Sequence, residues 1–147
     1  MPGRLLLDTN AIVQLLAGNQ ELLVLVSSAD FVATSIICEL EFLSFQGLGN
    51  EDAELYHSFR SRIKVFGLPE NDPGLSGSII AQRFNRGLKL PDAIIAGTAI
   101  ANDCVVVTAD KHFEKLKDPW HVKFYTPITW RMEEWGCLGF SLRKRKL

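Results

Sequence analysis

The sequence predicts an α/β fold, with a mainly parallel central sheet of four to five strands and helices on both faces. Three observations carry this. Short apolar segments alternate with helical ones along the chain, as in a series of βαβ units. The strand-like segments Leu5-Leu6-Leu7 and Val105-Val106-Val107 are continuously apolar, which marks strands buried on both faces. These runs end in Asp8-Thr9-Asn10 and Thr108-Ala109-Asp110. Open α/β sheets bind their ligands outside the carboxyl ends of their strands.

The first strand covers residues 5–8. A short helix follows over 11–17 and stops at Gly18-Asn19. Residues 20–28 combine a helix-like Gln-Glu start with strand-like valines. A second strand follows at once over 31–34, which selects helix. Ser35 opens a helix to about Gln46, closed by Gly47. Leu55, Phe59 and Ile63 keep helical spacing within 51–64, and Asn50, Glu51 and Asp52 supply a cap and negative charge at its start. Val65-Phe66 is a short third strand, and 69–74 is a loop of turn formers. Helices follow over 75–85, ended by Gly87, and over 91–102, with Pro91 in the first turn. The wholly β-branched 105–108 is the fourth strand, 111–117 a short helix and 122–125 the fifth strand. Thr126-Pro127 starts a last helical piece through Trp135. The domain is therefore expected over 1–135, with 136–147 a basic extension ending in Arg143-Lys144-Arg145-Lys146.

A chain of 147 residues fits one domain. Its 47% apolar and 22% charged residues are ordinary for a globular protein. Sixteen basic residues against 17 acidic ones give a net charge of −1, so a nucleic-acid partner would have to be met by a local patch. Cys38, Cys104 and Cys137 form no CxxC pair. They read as small buried residues in a reducing compartment rather than a disulfide framework or zinc ribbon. Met1-Pro2-Gly3-Arg4 leads straight into a strand, so no signal peptide is expected. No apolar run approaches the roughly 18 residues of a membrane span. The expectation is a cytoplasmic protein.

Acids recur at the ends of elements. Asp8 ends the first strand, Glu39 lies one turn into the helix after the second, Asp92 lies in the first turn of the Pro91 helix, and Asp110 follows the fourth strand. Each has a purely structural alternative: Asp8 and Asp110 as helix caps, Asp92 as a favourable charge at a helix N-terminus. Glu39 sits on a helix apolar almost all round, where a carboxylate needs a partner. Glu41 lies on the same helix, and periodicity does not choose between the two. A parallel sheet brings the strand-end acids to one edge. Clustered carboxylates repel one another unless a cation sits among them, and hard oxygen donors suit Mg²⁺ or Mn²⁺. Other chemistries lack their signatures. His57, His112 and His121 do not have zinc-hydrolase spacing, and no G-x-S-x-G, P-loop or dinucleotide fingerprint occurs.

Leu7-Asp8-Thr9-Asn10, Ser35 with Cys38-Glu39-Leu40, Pro91 through Ala99, and Val107-Thr108-Ala109-Asp110 with Phe113 together resemble the PIN domain. Within that family they look most like VapC toxins of toxin–antitoxin pairs. The resemblance spans about residues 4–130 and rests on the order and spacing of all four segments. It implies a PIN-like three-layer α/β/α sandwich and a Mg²⁺- or Mn²⁺-dependent endoribonuclease. It assigns metal binding to Asp8, Asp92 and Asp110, and selects Glu39 over Glu41 as the fourth catalytic acid. It places the hydroxyls of Thr9 and Thr108 in the pocket. The residues themselves then read Asn10 as the cap of the following helix. It also implies a homodimer and a VapB-like antitoxin. The family often carries a second acid before the Phe, where this chain has His112. Arg83, Arg86 and Lys89 precede Asp92 and are candidate contacts to RNA phosphates.

Two other classes share part of this pattern. A receiver-like phospho-accepting domain wants paired acids after its first strand and a lysine after its last, whereas Asp8 stands alone. A PIN nuclease acting in RNA processing, outside any toxin–antitoxin pair, shares every residue named above.

Overall fold

The computed structural model describes residues 3–116 and 121–129. The strands are β1 (Arg4–Leu7), β2 (Phe31–Ser35), β3 (Lys64–Phe66), β4 (Val105–Thr108) and β5 (Val122–Phe124). The helices are α1 (Thr9–Leu16), α2 (Gln20–Ser27), α3 (Ile36–Leu43), α4 (Asn50–Arg60), α5 (Pro73–Arg86) and α6 (Leu90–Ala101), with a 3₁₀ turn over Lys111–Lys115. The five strands form one sheet in the order β3-β2-β1-β4-β5. Every pairing is parallel, and the flanking helices complete a three-layer α/β/α fold.

Chemistry dictates that β1 lies in the middle. Leu5, Leu6 and Leu7 are 6%, 0% and 0% exposed. Full burial of such a side chain contributes about 1.5–3 kcal/mol, and a strand apolar on both faces reaches that only with neighbours on both sides. Leu7 pairs with Thr34 on one side and Val107 on the other. The carboxyl ends of β1, β2 and β4 therefore align. The chain crosses to β2 on one side of β1 and later to β4 on the other, which makes this edge a topological switch point. Thr34 Oγ1 donates to the Leu7 carbonyl at 2.8 Å, fixing the last residue before Asp8.

The elements follow the sequence closely, and the departures have local causes. The first helix starts at Thr9 rather than Ala11 because Asp8 is its N-cap. The third ends at Leu43, short of Gln46; the Ser44 hydroxyl folds back to the Leu40 carbonyl at 2.5 Å, a local bond that competes with helix continuation. The fourth stops at Arg60, and Lys64 belongs to β3. The fifth starts at Pro73, capped by Asp72, whose carboxylate accepts from Leu75 N at 3.0 Å. Residues 126–129 are not helical. Asn19 Nδ2 donates to the Thr126 carbonyl at 3.0 Å, and Gln14 brackets Ile128, donating to its carbonyl at 3.1 Å and accepting from its N–H at 2.8 Å. Thr126 N donates to Glu21 at 2.9 Å. With its backbone groups held by α1 and α2 side chains, this stretch runs extended. The rest of the expected last helix, the boundary at 136, Cys137 and the basic tail lie outside the described residues. Cys38 and Cys104 are buried free thiols.

Helix α6, which carries Asp92, packs against α5 at Gly97. A Cβ built there would lie 2.6 Å from Ile79 Cα and 2.7 Å from Ile79 N. Both are backbone-level obstacles, so relief requires the helices to separate. Gly97→Ala is expected to lower stability by about 1–3 kcal/mol, despite the better helix propensity of alanine. A urea midpoint equal to wild type would show that the two helices tolerate the separation.

Candidate active site

Asp8 is held at the sheet edge by hydrogen bonds to both of its carboxylate oxygens. One carboxylate oxygen accepts from Ala11 N at 2.8 Å, capping α1. The other accepts from Thr108 Oγ1 at the end of β4. The Thr108 hydroxyl in turn accepts from Asp110 N at 2.9 Å. Asp8 therefore both caps the helix and faces the site, and the capping role expected of Asn10 belongs to it. Thr108 is 0% exposed. It does not line the pocket as expected; it positions two acids that do. Burial pushes the Asp8 carboxyl up from its ordinary 3.8 to about 6. The bonds from Thr108 and Ala11 oppose that rise, and the charges of Asp110 and Glu41 add to it.

Four carboxylates, from Asp8, Glu41, Asp92 and Asp110, line one cleft together with Thr9, Asn10, Phe45, Ile95 and Phe113. Among the described residues, no lysine or arginine is in its wall. Its volume is about 100 Å³, room for a cation and roughly two or three waters at about 30 Å³ each. Asp92 is in the first turn of α6, where the helix dipole favours negative charge. Its carboxyl is raised by burial and then by Asp110, against the opposing charges of His112, Lys89 and Lys115. Asp110 caps the 3₁₀ turn, accepting from His112 N at 2.9 Å.

Glu39 is not in this cleft. One of its oxygens accepts from Tyr56 Oη at 2.7 Å and from Arg60 Nε at 2.5 Å, both on α4. Burial alone would raise its carboxyl, but these bonds hold it below the ordinary value. Tyr56 also stacks on Phe42 of α3, with ring centroids 4.8 Å apart. Glu39 thus locks α3 to α4, which supplies the partner its partly buried carboxylate needs. Glu41 takes the cleft position. The two glutamates are about 200° apart around a helix of about 3.6 residues per turn. They flank the buried Cys38 and Phe42 from opposite sides. The missing signal was which side of α3 faces the acids.

The expected basic contacts divide differently. Arg83 Nη1 donates to the Leu88 carbonyl at 3.0 Å, and Arg86 Nη1 to the Lys115 carbonyl at 3.4 Å. Both brace the α5 terminus, and neither lines the cleft. Lys89 and Lys115 are close enough to act on Asp92. A second cavity of about 420 Å³ adjoins the cleft and shares Asn10 and Asp110 with it, with Val13, Tyr125 and Ile128 among its other walls. Sequence reasoning did not single out Asn10 as a wall of either.

The donor chemistry fits a divalent cation: hard carboxylate oxygens, no internal counter-charge, and space for water. Asp92, Asp110 and His112 offer ligand atoms that all lie within 4.8 Å of one another.

Comparison with known proteins agrees with this architecture. The PIN domain family model matches residues 5–119. A toxin–antitoxin complex from Klebsiella pneumoniae is 26% identical, with a TM-score of 0.61 over 84% of this chain and 98% of that one. VapBC2 from Rickettsia felis, bound to a promoter DNA fragment, is 20% identical, with a TM-score of 0.64 over 86% and 100% of the two chains. VapBC-5 from Mycobacterium tuberculosis is 18% identical, with a TM-score of 0.57 over 84% and 98%. No curated protein matches the sequence. A family match over most of the chain, on a parallel sheet whose carboxyl edge gathers four acids, shows that this protein belongs to the PIN domain family.

Proposed function

We propose that this chain is a metal-dependent endoribonuclease and the toxin of a toxin–antitoxin pair. The observation that carries the reading is the convergence of Asp8, Glu41, Asp92 and Asp110 on a cleft that no basic side chain lines among the described residues. Asp8, Asp92 and Asp110 would hold Mg²⁺ or Mn²⁺. Such a cation lowers the pKa of a water and offsets charge on the scissile phosphate. Glu41, rather than Glu39, orients the attacking water and accepts its proton. Thr9 stands beside Asp8 in the cleft wall and contacts the substrate. Thr108 keeps Asp8 and Asp110 at a fixed separation, so the donors need no rearrangement. Lys89, at the α6 N-terminus, contacts a flanking phosphate. Arg83 and Arg86 act through their backbone bonds instead. Attack by water leaves 5′-phosphate and 3′-hydroxyl ends. The receiver-type alternative needs a lysine in the wall with the acids, and among the described residues none lines the cleft.

The partner side of the proposal rests on the neighbours and on two apolar surfaces. The Klebsiella structure is a toxin–antitoxin complex. An apolar groove of about 600 Å³, walled by Leu16, Leu23, Val26, Leu55 and Phe59 among others, suits an amphipathic segment of an antitoxin. Ile80 and Phe84, one turn apart on α5, are 53% and 86% exposed. We assign the homodimer contact to that face. Phe84→Glu is expected to shift the purified protein from dimer to monomer by light scattering; an unchanged mass would remove the face from the proposal.

Asp8→Asn is expected to abolish RNA cleavage while the fold persists. Thr108→Val should lower the rate by about 10–100-fold, the usual cost of losing a group that orients a ligand. Glu41→Gln should match the Asp8 variant, whereas Glu39→Gln should retain cleavage and lose thermal stability. Wild-type cleavage by Asp8→Asn would sink the nuclease reading. A silent Glu41 variant beside a dead but folded Glu39 variant would reverse the assignment of the fourth acid.

The raised Asp8 carboxyl makes a signed prediction about stability. Between the unfolded value of 3.8 and the folded value of about 6, the folded state holds the proton longer. The contribution is full below the lower value and is lost as pH rises through the upper one. In chelator, wild type should lose stability relative to Asp8→Asn between about pH 4 and about pH 6, and no further above that. Parallel pH–stability curves for the two proteins would contradict it.

A further inference from the structure

We propose that His112 joins Asp92 and Asp110 in a mixed nitrogen–oxygen cation site that selects Mn²⁺ over Mg²⁺. The proposal rests on reading the acidic cleft as a metal centre and adds a selectivity that the carboxylates alone do not give. Ligand atoms of the three side chains all lie within 4.8 Å of one another. Donors about 2.0–2.1 Å from a small divalent ion lie no more than about 4.2 Å apart, so side-chain adjustments of a few tenths of an ångström bring the three onto a single cation.

The backbone builds this grouping. Asp110 caps the 3₁₀ turn, and the His112 N–H reaches back to its carboxylate at 2.9 Å. The imidazole folds over the same oxygen, with Nδ1 at 3.1 Å. Asp92 approaches from the first turn of α6. Asp110 stands between two groups: Asp8 is acted on by the charges of Asp110 and Glu41, and Asp92 by those of Asp110 and His112. The first group offers only oxygen, whereas the second includes an imidazole. Mg²⁺ demands hard oxygen ligands in near-ideal octahedral geometry and keeps several waters. Imidazole is the donor of first-row transition ions, and Mn²⁺ accepts both oxygen and nitrogen. An acid at position 112 would make both groups all-oxygen; histidine makes them unequal.

The test uses the full-length protein, stripped of metal and loaded with Mn²⁺ alone. Pulsed electron paramagnetic resonance should detect a directly bound ¹⁴N, and His112→Asn should lose that coupling. Competition with Mg²⁺ should show Mn²⁺ preference falling about tenfold or more in His112→Asp, within the usual 10–100-fold range for altered metal-site residues. Mn²⁺ binding without nitrogen coupling, or an unchanged Mn²⁺/Mg²⁺ ratio in His112→Asp, overturns the proposal, leaves the metal centre standing, and reduces His112 to an ion-pair partner of Asp110. Absence of any Mn²⁺ binding that Asp8→Asn and Asp92→Asn weaken overturns both. Nitrogen-coupled Mn²⁺ in a protein that does not cut RNA supports the site and rejects the ribonuclease.

Discussion

One hydroxyl holds the site together. Thr108 Oγ1 donates to Asp8 and accepts from the backbone N–H of Asp110, so it joins the ends of β1 and β4 across the switch point of the sheet. Its location follows from register. Leu7 pairs with Val107, which puts Thr108 directly beside Asp8. The hydroxyl serves because it can give one hydrogen bond and accept another at the same time. A valine of similar shape would fill the volume and leave Asp8 short of its strongest donor, with the Asp110 amide unpaired. Much of the local architecture, from the N-cap of α1 to the entry of the 3₁₀ turn, is organised around that contact.

The fold was legible because its signals are local and redundant. Continuous apolar strands, caps such as Ser35, and glycine stops such as Gly87 each report one element's type. Their alternation then reports the topology. Helix ends were less legible. They turn on single side chains, such as Ser44 folding back on Leu40 or Gln14 capturing the backbone at Ile128. The second of these spans 114 residues of sequence, so no local pattern contains it.

The site was legible only as far as strand ends define it. Asp8 and Asp110 follow strands, and Asp92 opens a helix at the same edge, so their meeting follows from topology. The fourth acid does not sit at a strand end. Glu39 and Glu41 share α3, and what separates them is α4, which brings Tyr56 and Arg60 to one side of that helix. A carboxylate bonded to a guanidinium is already neutralised and has less to offer a cation. Glu41 has no such partner among the described residues and faces Asp8. The resemblance points to Glu39, whereas the cleft wall holds Glu41, because helix packing decides which glutamate faces the acids.

The same accounting sets an order of events for the proposed reaction. Arg60 is committed to Glu39, and Arg83 and Arg86 to backbone carbonyls. Among the described residues, the charged side chains of the cleft wall are all acids. A phosphate approaching it meets like charge at short range, where partial burial weakens screening. In the proposed reaction, a cation held by these acids would have to be in place before the scissile phosphate entered productively. Lys89 can hold RNA at the rim beforehand, because its charge acts from outside the wall. Asp8 would link this order to protonation: while it kept the proton that burial favours, the proposed cation would lack one of its ligands. On this reading ionisation of Asp8, occupancy of the acids by the cation and phosphate entry would follow in that order, each removing the electrostatic obstacle to the next.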